Sequence, residues 1–155
     1  YRNVASIMIN LILQGREPII YGNGLQKRCF SFIDDDIDIL KLLATSSKAN
    51  GEVINIGPDK EFVTIIELAN VIAEILNVEI NPIFMKGRPQ EVFLANCSAD
   101  KARNLFDYNP KVSLRDVLES MIDDIKDRGV KSFKYHLDLE IINEKTPKTW
   151  KDRVF

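Results

Sequence analysis

Thr64-Ile-Ile-Glu67 constrains the fold of this chain more than any other stretch. A Thr followed three residues later by Glu is a capping box, in which each side chain satisfies a backbone N–H that the first helical turn leaves open. Behind it Ile65, Leu68, Ala69, Ile72, Ile75 and Leu76 recur at helical spacing and make one apolar stripe. A helix over residues 64–77 follows, with one face that has to be covered by other apolar elements.

Two further stretches offer such faces. Residues 1–14 set Val4, Ile7, Met8, Leu11 and Ile12 at the same spacing, with Gly15 as a stop. Ser113 caps a helix in which Leu114, Val117, Leu118, Met121, Ile122 and Ile125 share a side up to Gly129. Two lesser helices are expected, one from Asp34-Asp35-Asp36 to about Ser46 and one from Ser98 to about Phe106. Three adjacent acids also resemble a metal site. Consecutive residues point around a helix rather than at one point, however, and carboxylates at a helix start complement its free amides, so the helix start explains them better.

Short apolar runs between these helices read as strands: Ile19 to Tyr21, Cys29 to Ile33, the glycine-bounded run from Gly51 to Gly57, and Ile80 to Met85, where Pro82 favours a sheet edge. The fold class is therefore α/β of a small, α+β-like kind, with short strands and several amphipathic helices over residues 1–129. Residues 130–155 lose the periodicity. They are expected to form an extended arm packed by its aromatics, with Trp150 and His136 as anchors rather than catalytic groups.

A net charge of −2 and the lack of a Lys/Arg block argue against nucleic-acid binding. The two cysteines, Cys29 and Cys97, are far apart and the sole histidine is His136, so Cys and His cannot supply a zinc-type ligand set. Both thiols are expected to be buried and reduced, as in a cytoplasmic protein. No apolar run is long enough to span a bilayer, and no membrane partner is expected. The start Tyr-Arg-Asn-Val, without Met and without a signal-peptide layout, leads us to expect a piece of a longer protein.

The stretch Tyr21-Gly22-Asn23-Gly24 links two of the apolar runs and is followed by Gln26 and Arg28. Turn glycines reach positive φ and let a ligand approach the backbone, and an Arg on the adjoining strand offers a planar fork of donors to a phosphate. On spacing alone, an ordinary strand connection with one solvated Arg outweighs an anion clamp. A second Arg, Arg88, stands between Gly87 and Pro89, and the proline restricts it to extended backbone that aims its side chain. Asn55, among aliphatic neighbours, is equally a structural tie or a ligand contact.

Several catalytic signatures are missing. Lys27 stands where the dinucleotide fingerprint Gly-x-Gly-x-x-Gly needs its third glycine after Gly22 and Gly24, no glycine precedes a Lys, and no Tyr has a Lys four residues on. A Gly-x-Ser-x-Gly elbow is also lacking.

Taken in order, the motifs carry a family likeness. Tyr21-Gly22-Asn23-Gly24-Leu25-Gln26-Lys27-Arg28-Cys29-Phe30-Ser31-Phe32-Ile33-Asp34-Asp35 resembles the Tyr-Gly-Asp-Gly-x-Gln-x-Arg-x-Phe-x-Tyr-Val-x-Asp segment of extended short-chain dehydrogenases/reductases, the NAD-dependent nucleotide-sugar epimerases and dehydratases. Val53-Ile54-Asn55-Ile56-Gly57 is similar to their Tyr-Asn-Ile-Gly strand, Arg88-Pro89-Gln90-Glu91-Val92 to their Arg-Pro-Gly-Asp-Val loop, and Ser98-Ala99-Asp100-Lys101-Ala102 with Tyr108-Asn109-Pro110 to the helix and Gly-Trp/Tyr-x-Pro that follow. The likeness covers residues 1 to about 128 and only the C-terminal, substrate-binding lobe of such enzymes, without the Rossmann half that carries NAD and the Tyr-x-x-x-Lys pair.

The resemblance implies that Arg28 and Arg88 bind the diphosphate of a nucleotide-diphosphate sugar, that Tyr21 lines the base and sugar site, that Gln26 lies near the nucleotide, and that Asn55 and Glu91 contact the ligand. In the intact enzyme it implies NAD-mediated oxidation at sugar C4, in a 4-epimerase or 4,6-dehydratase and commonly in a homodimer. This part alone is expected to be inactive. Gln90-Glu91 replaces the usual Gly-Asp, which calls into question any backbone shape that needs glycine there, and Ser31-Phe32-Ile33 lacks one phenol hydroxyl of the family pattern. A stand-alone nucleotide-sugar-binding or scaffolding module without catalysis is the alternative.

Overall fold

The computed structural model describes residues 3–134, 138–139 and 142–154. In chain order, helix α1 (Val4–Leu13) leads to strands β1 (Ile19–Tyr21) and β2 (Lys27–Arg28). Helix α2 (Ile33–Thr45) and a 3-10 turn at Ser47–Ala49 precede β3 (Val63–Thr64), α3 (Ile65–Leu76) and β4 (Ile83–Met85). Helices α4 (Asp100–Phe106), α5 (Leu114–Asp127) and α6 (Lys148–Lys151) follow.

The three apolar stripes meet. Met8 and Ile9 of α1, Leu68 and Ile72 of α3, and Leu118 and Ile122 of α5 are each at most 2% exposed and form one cluster, joined by Ile20 of β1. Full burial of each such side chain contributes roughly 1.5–3 kcal/mol. Both caps form: Thr64 Oγ1 accepts from the Glu67 amide at 3.1 Å while the Thr64 amide donates to Glu67 Oε2 at 2.7 Å, and Ser113 makes the same exchange with Asp116.

A second, smaller cluster joins α2 to α4 through Ile39, Ala99, Ala102 and Tyr108. The acids at the start of α2 do more there than complement the dipole. Asp36 accepts from the buried Tyr108 hydroxyl at 2.9 Å, and Asp35 accepts from the amides of Lys111 and Val112 at 3.1 and 3.0 Å. Burial and the Asp36 carboxylate push the Tyr108 phenol well above its ordinary pKa.

The strands are shorter than the apolar runs. β1 runs parallel to β4, with Ile19 opposite Ile83 and Tyr21 opposite Met85, and β2 runs antiparallel to β3, with Lys27 opposite Thr64 and Arg28 opposite Val63. In the run from Ile80 to Met85, the Asn81 amide is taken by Glu17 Oε2 at 2.6 Å and Pro82 has no N–H, so the ladder begins only at Ile83. The run from Gly51 to Gly57 is not a strand. Val53 is 83% exposed, and the segment is held by side chains, with Asn55 Nδ2 donating to the Ser98 carbonyl at 3.2 Å. The run from Cys29 to Ile33 likewise pairs only through the two residues before it, and α2 starts at Ile33.

Two other expectations are corrected. Cys97 is exposed and Cys29 only half-buried, both as free thiols, because they flank open loops rather than the helical core. Burial, with Asp59 and Glu61 nearby, pushes the Cys29 thiol above its ordinary pKa. The arm is seated by Thr149, which has no exposed surface, while Trp150 is 44% exposed and is not a packed anchor. His136 lies outside the described residues. No helix among the described residues is long and apolar enough to cross a membrane.

Candidate functional site

The glycine turn is built tightly. Gly22 and Gly24 have φ of 67° and 74°, and a Cβ on Gly24 would stand 3.1 Å from Ile20 Cγ2 and 3.2 Å from Ile66 Cβ. Only glycine meets both requirements. Gln26, buried, closes the turn by donating from Nε2 to the Tyr21 carbonyl at 3.1 Å. The chain then enters β2 and presents Arg28.

The second arginine arrives from the partner strand. Pairing of β1 with β4 continues as the Gly22 amide donates to the Met85 carbonyl at 2.8 Å. Beyond it the two loops run close enough that a Cβ on Gly22 would stand 3.9 Å from the Gly87 Cα, and the chain turns through Arg88 to Glu91. Gln90 takes φ of 59°, a left-handed conformation that glycine adopts freely and that costs a residue with a side chain roughly 1–2 kcal/mol.

Arg28 and Arg88 converge on Glu91. Arg28 Nη2 donates to Glu91 Oε1 at 2.7 Å, and Arg88 Nε donates to Oε2 at 2.6 Å. Arg28 also donates to the Lys27 carbonyl at 2.7 Å, which fixes its fork. The Arg88 guanidinium lies over the Tyr21 ring, 4.9 Å from its centroid, a cation–π contact that orients both groups. The Tyr21 hydroxyl is hydrogen-bonded to Thr149. Two cations share one carboxylate, leaving net positive charge on side chains that are only partly exposed, where attraction for an anion is stronger than in open solvent.

These groups line one cleft of about 680 Å³, with Tyr21, Gln26, Arg28, Arg88 and Glu91 in its wall. Five of the six residues expected at the site are thus brought together. Asn55 is not among the residues lining this cleft. Thr149 and Trp150 join the wall from the arm, and no local pattern in the sequence marks them for it.

A separate charge pair belongs to the scaffold. Arg103 grips Asp59 through both nitrogens at 2.9 and 2.6 Å, and the Ala99 amide adds a third bond at 2.8 Å. These bonds hold the Asp59 carboxyl down at about 2.

The glycine turn does not fit the dinucleotide cradle that holds NAD. Lys27 occupies the third glycine place of a dinucleotide cradle, and Gly22-Asn23-Gly24 opens onto strand β2 rather than onto the helix N-terminus that would face a pyrophosphate.

The family model for GDP-mannose 4,6 dehydratase matches residues 1–121. This chain is a member of the extended short-chain dehydrogenase/reductase family of nucleotide-sugar epimerases and dehydratases. It is similar to a UDP-N-acetyl-alpha-D-glucosaminuronate decarboxylase of Bacillus cytotoxicus, 28% identical over 128 residues that make up 79% of this chain and 39% of the relative. A putative UDP-glucose 4-epimerase of Methanocaldococcus jannaschii is 30% identical over 126 residues, covering 81% of this chain and 40% of that protein. Among solved structures, the UDP-glucuronic acid 4-epimerase of Bacillus cereus, determined with UDP-glucuronic acid and NAD, superposes with a TM-score of 0.77 at 32% identity over 83% of this chain and 41% of its own. The chain therefore spans about two fifths of the length of these family members.

Proposed function

We propose that this chain is the part of a nucleotide-sugar epimerase, dehydratase or decarboxylase that grips the nucleotide-diphosphate sugar, with a UDP-sugar as ligand. The carrying observation is the meeting of Arg28 and Arg88 on one carboxylate inside one cleft. Each guanidinium has five N–H donors, more than the contacts with Glu91 use, so both forks retain donors for a diphosphate bridging them. Glu91 holds the forks in register and lowers their mutual repulsion until the ligand arrives. Tyr21, whose ring lies beneath Arg88, and the backbone of the glycine turn line the base and sugar end, and Gln26 keeps that turn closed.

Tight hold on the nucleotide would position the sugar for chemistry that this lobe does not perform. The redox centre, NAD included, is assigned to a dinucleotide-binding half outside these residues, and the chain alone is expected to turn over no UDP-sugar. The UDP-sugar names carried by all three relatives support uridine over other bases.

Calorimetric titration of UDP tests the reading. Charge-assisted bonds of roughly 1.5–3 kcal/mol each predict that Arg28→Ala and Arg88→Ala each weaken UDP at least tenfold. Failure of the wild-type chain to bind UDP, or affinity indifferent to both substitutions, overturns it.

A further inference from the structure

The family match ends at residue 121, yet Thr149 and Trp150 line the same cleft as Arg28, Arg88 and Glu91. Three tethers bring the arm back to this place. Ser132 Oγ donates to Gln14 Oε1 at 3.3 Å, Arg16 Nη2 donates to the Val154 carbonyl at 2.7 Å, and the Tyr21 hydroxyl is bonded to the Thr149 side chain and accepts from the Thr149 amide at 3.3 Å.

The two neighbours have different surroundings. Thr149 is fully buried, and its side chain is bonded to the Tyr21 hydroxyl. Trp150 follows on the same short helical turn, keeps 44% of its surface exposed and is one of the residues lining the cleft. A tryptophan in the wall of a cleft that also holds two guanidinium forks suits a flat π-ring attached to an anion. A nucleobase on a diphosphate is such a group. The base, rather than the sugar, is favoured because it alone offers a flat π-face to an aromatic side chain.

We propose that Trp150 is a platform on which the nucleobase stacks, held in place by the bond between Thr149 and Tyr21. The arm thereby adds a base-binding wall that lies beyond the matched family pattern. This inference rests on the reading of the cleft as a nucleotide-sugar site.

Trp150 is the only tryptophan in the chain, so its emission reports from this one position. Titrating UDP into the wild-type chain is expected to change tryptophan emission with the same midpoint that calorimetry gives. Trp150→Ala is expected to weaken UDP roughly tenfold, a typical loss for one base–aromatic stack, while inorganic pyrophosphate binds as before and Trp150→Phe restores most of the affinity. Thr149→Val, which keeps the buried volume but removes the hydroxyl, is expected to weaken UDP in the same direction. Unchanged emission at saturating UDP, or equal UDP affinity in Trp150→Ala, overturns the stacking role while leaving the arginine grip intact. A wild-type chain that does not bind UDP overturns both, and Arg28→Ala tells the two failures apart by losing UDP and pyrophosphate together.

Discussion

Arg28 donates to Glu91 at 2.7 Å across 63 positions of sequence, and the other oxygen of that carboxylate holds Arg88. The pair ties strand β2 to the loop of Arg88, the two segments that carry the positive charge of the cleft. It also makes Glu91 a resident anion at the place proposed for the diphosphate.

Glu91→Gln therefore has a signed consequence. The amide still accepts hydrogen bonds, but the cleft gains one unit of positive charge. Inorganic pyrophosphate is expected to bind on the order of 1 kcal/mol tighter, roughly fivefold, with a steeper loss of affinity as salt is added. Equal or weaker pyrophosphate binding in calorimetry at low salt would show that Glu91 does not compete with the ligand.

Asn55→Ala is expected to leave UDP affinity within about twofold of wild type, the scatter of a substitution outside the site. Its side chain is spent on the Ser98 carbonyl, away from the cleft. A tenfold loss in the same titration would return Asn55 to the ligand contacts.

The pair of Asp59 and Arg103 predicts acid sensitivity. Asp59 is held at about 2, below its ordinary 3.8, so its stabilising effect is present above pH 4 and is lost as pH falls toward 2. The melting temperature of wild type is expected to exceed that of Asp59→Asn at pH 6, with the gap shrinking steadily between pH 4 and pH 2. A gap that stays constant over that window would assign the effect to packing rather than to the charge.

Gly24→Ala is expected to cost roughly 1–3 kcal/mol in denaturant unfolding, because the new methyl meets Ile20 and Ile66 at a backbone angle that disfavours it. Gly15→Ala shares the positive φ but meets nothing within 4 Å, so it is expected to cost less. Equal losses in the two variants would remove the packing part of this explanation.

The helical part of the fold was legible because its signals are local. The capping boxes at Thr64 and Ser113 and the stripes behind them lie within single turns of chain, and the burial of Leu68 and Leu118 follows from them. Strands were over-read where the hydrogen bonds go elsewhere. Nothing within Val53 to Gly57 tells that Asn55 and Asp59 tie that segment to residues near Ser98, and Asn81 gives its amide to Glu17. At the site, the ordered motifs led to Arg28 and Arg88 in one place. The bridging position of Glu91 and the contact of Thr149 with Tyr21 span 63 and 128 positions, and no local periodicity encodes them.

A crystal structure of the chain with UDP tests whether the two arginines grip one diphosphate together. Diphosphate oxygens are expected within about 3 Å of both the Arg28 and the Arg88 guanidinium groups. UDP bound elsewhere on the chain, or held by one arginine while the other stays locked on Glu91 and away from the ligand, would contradict it.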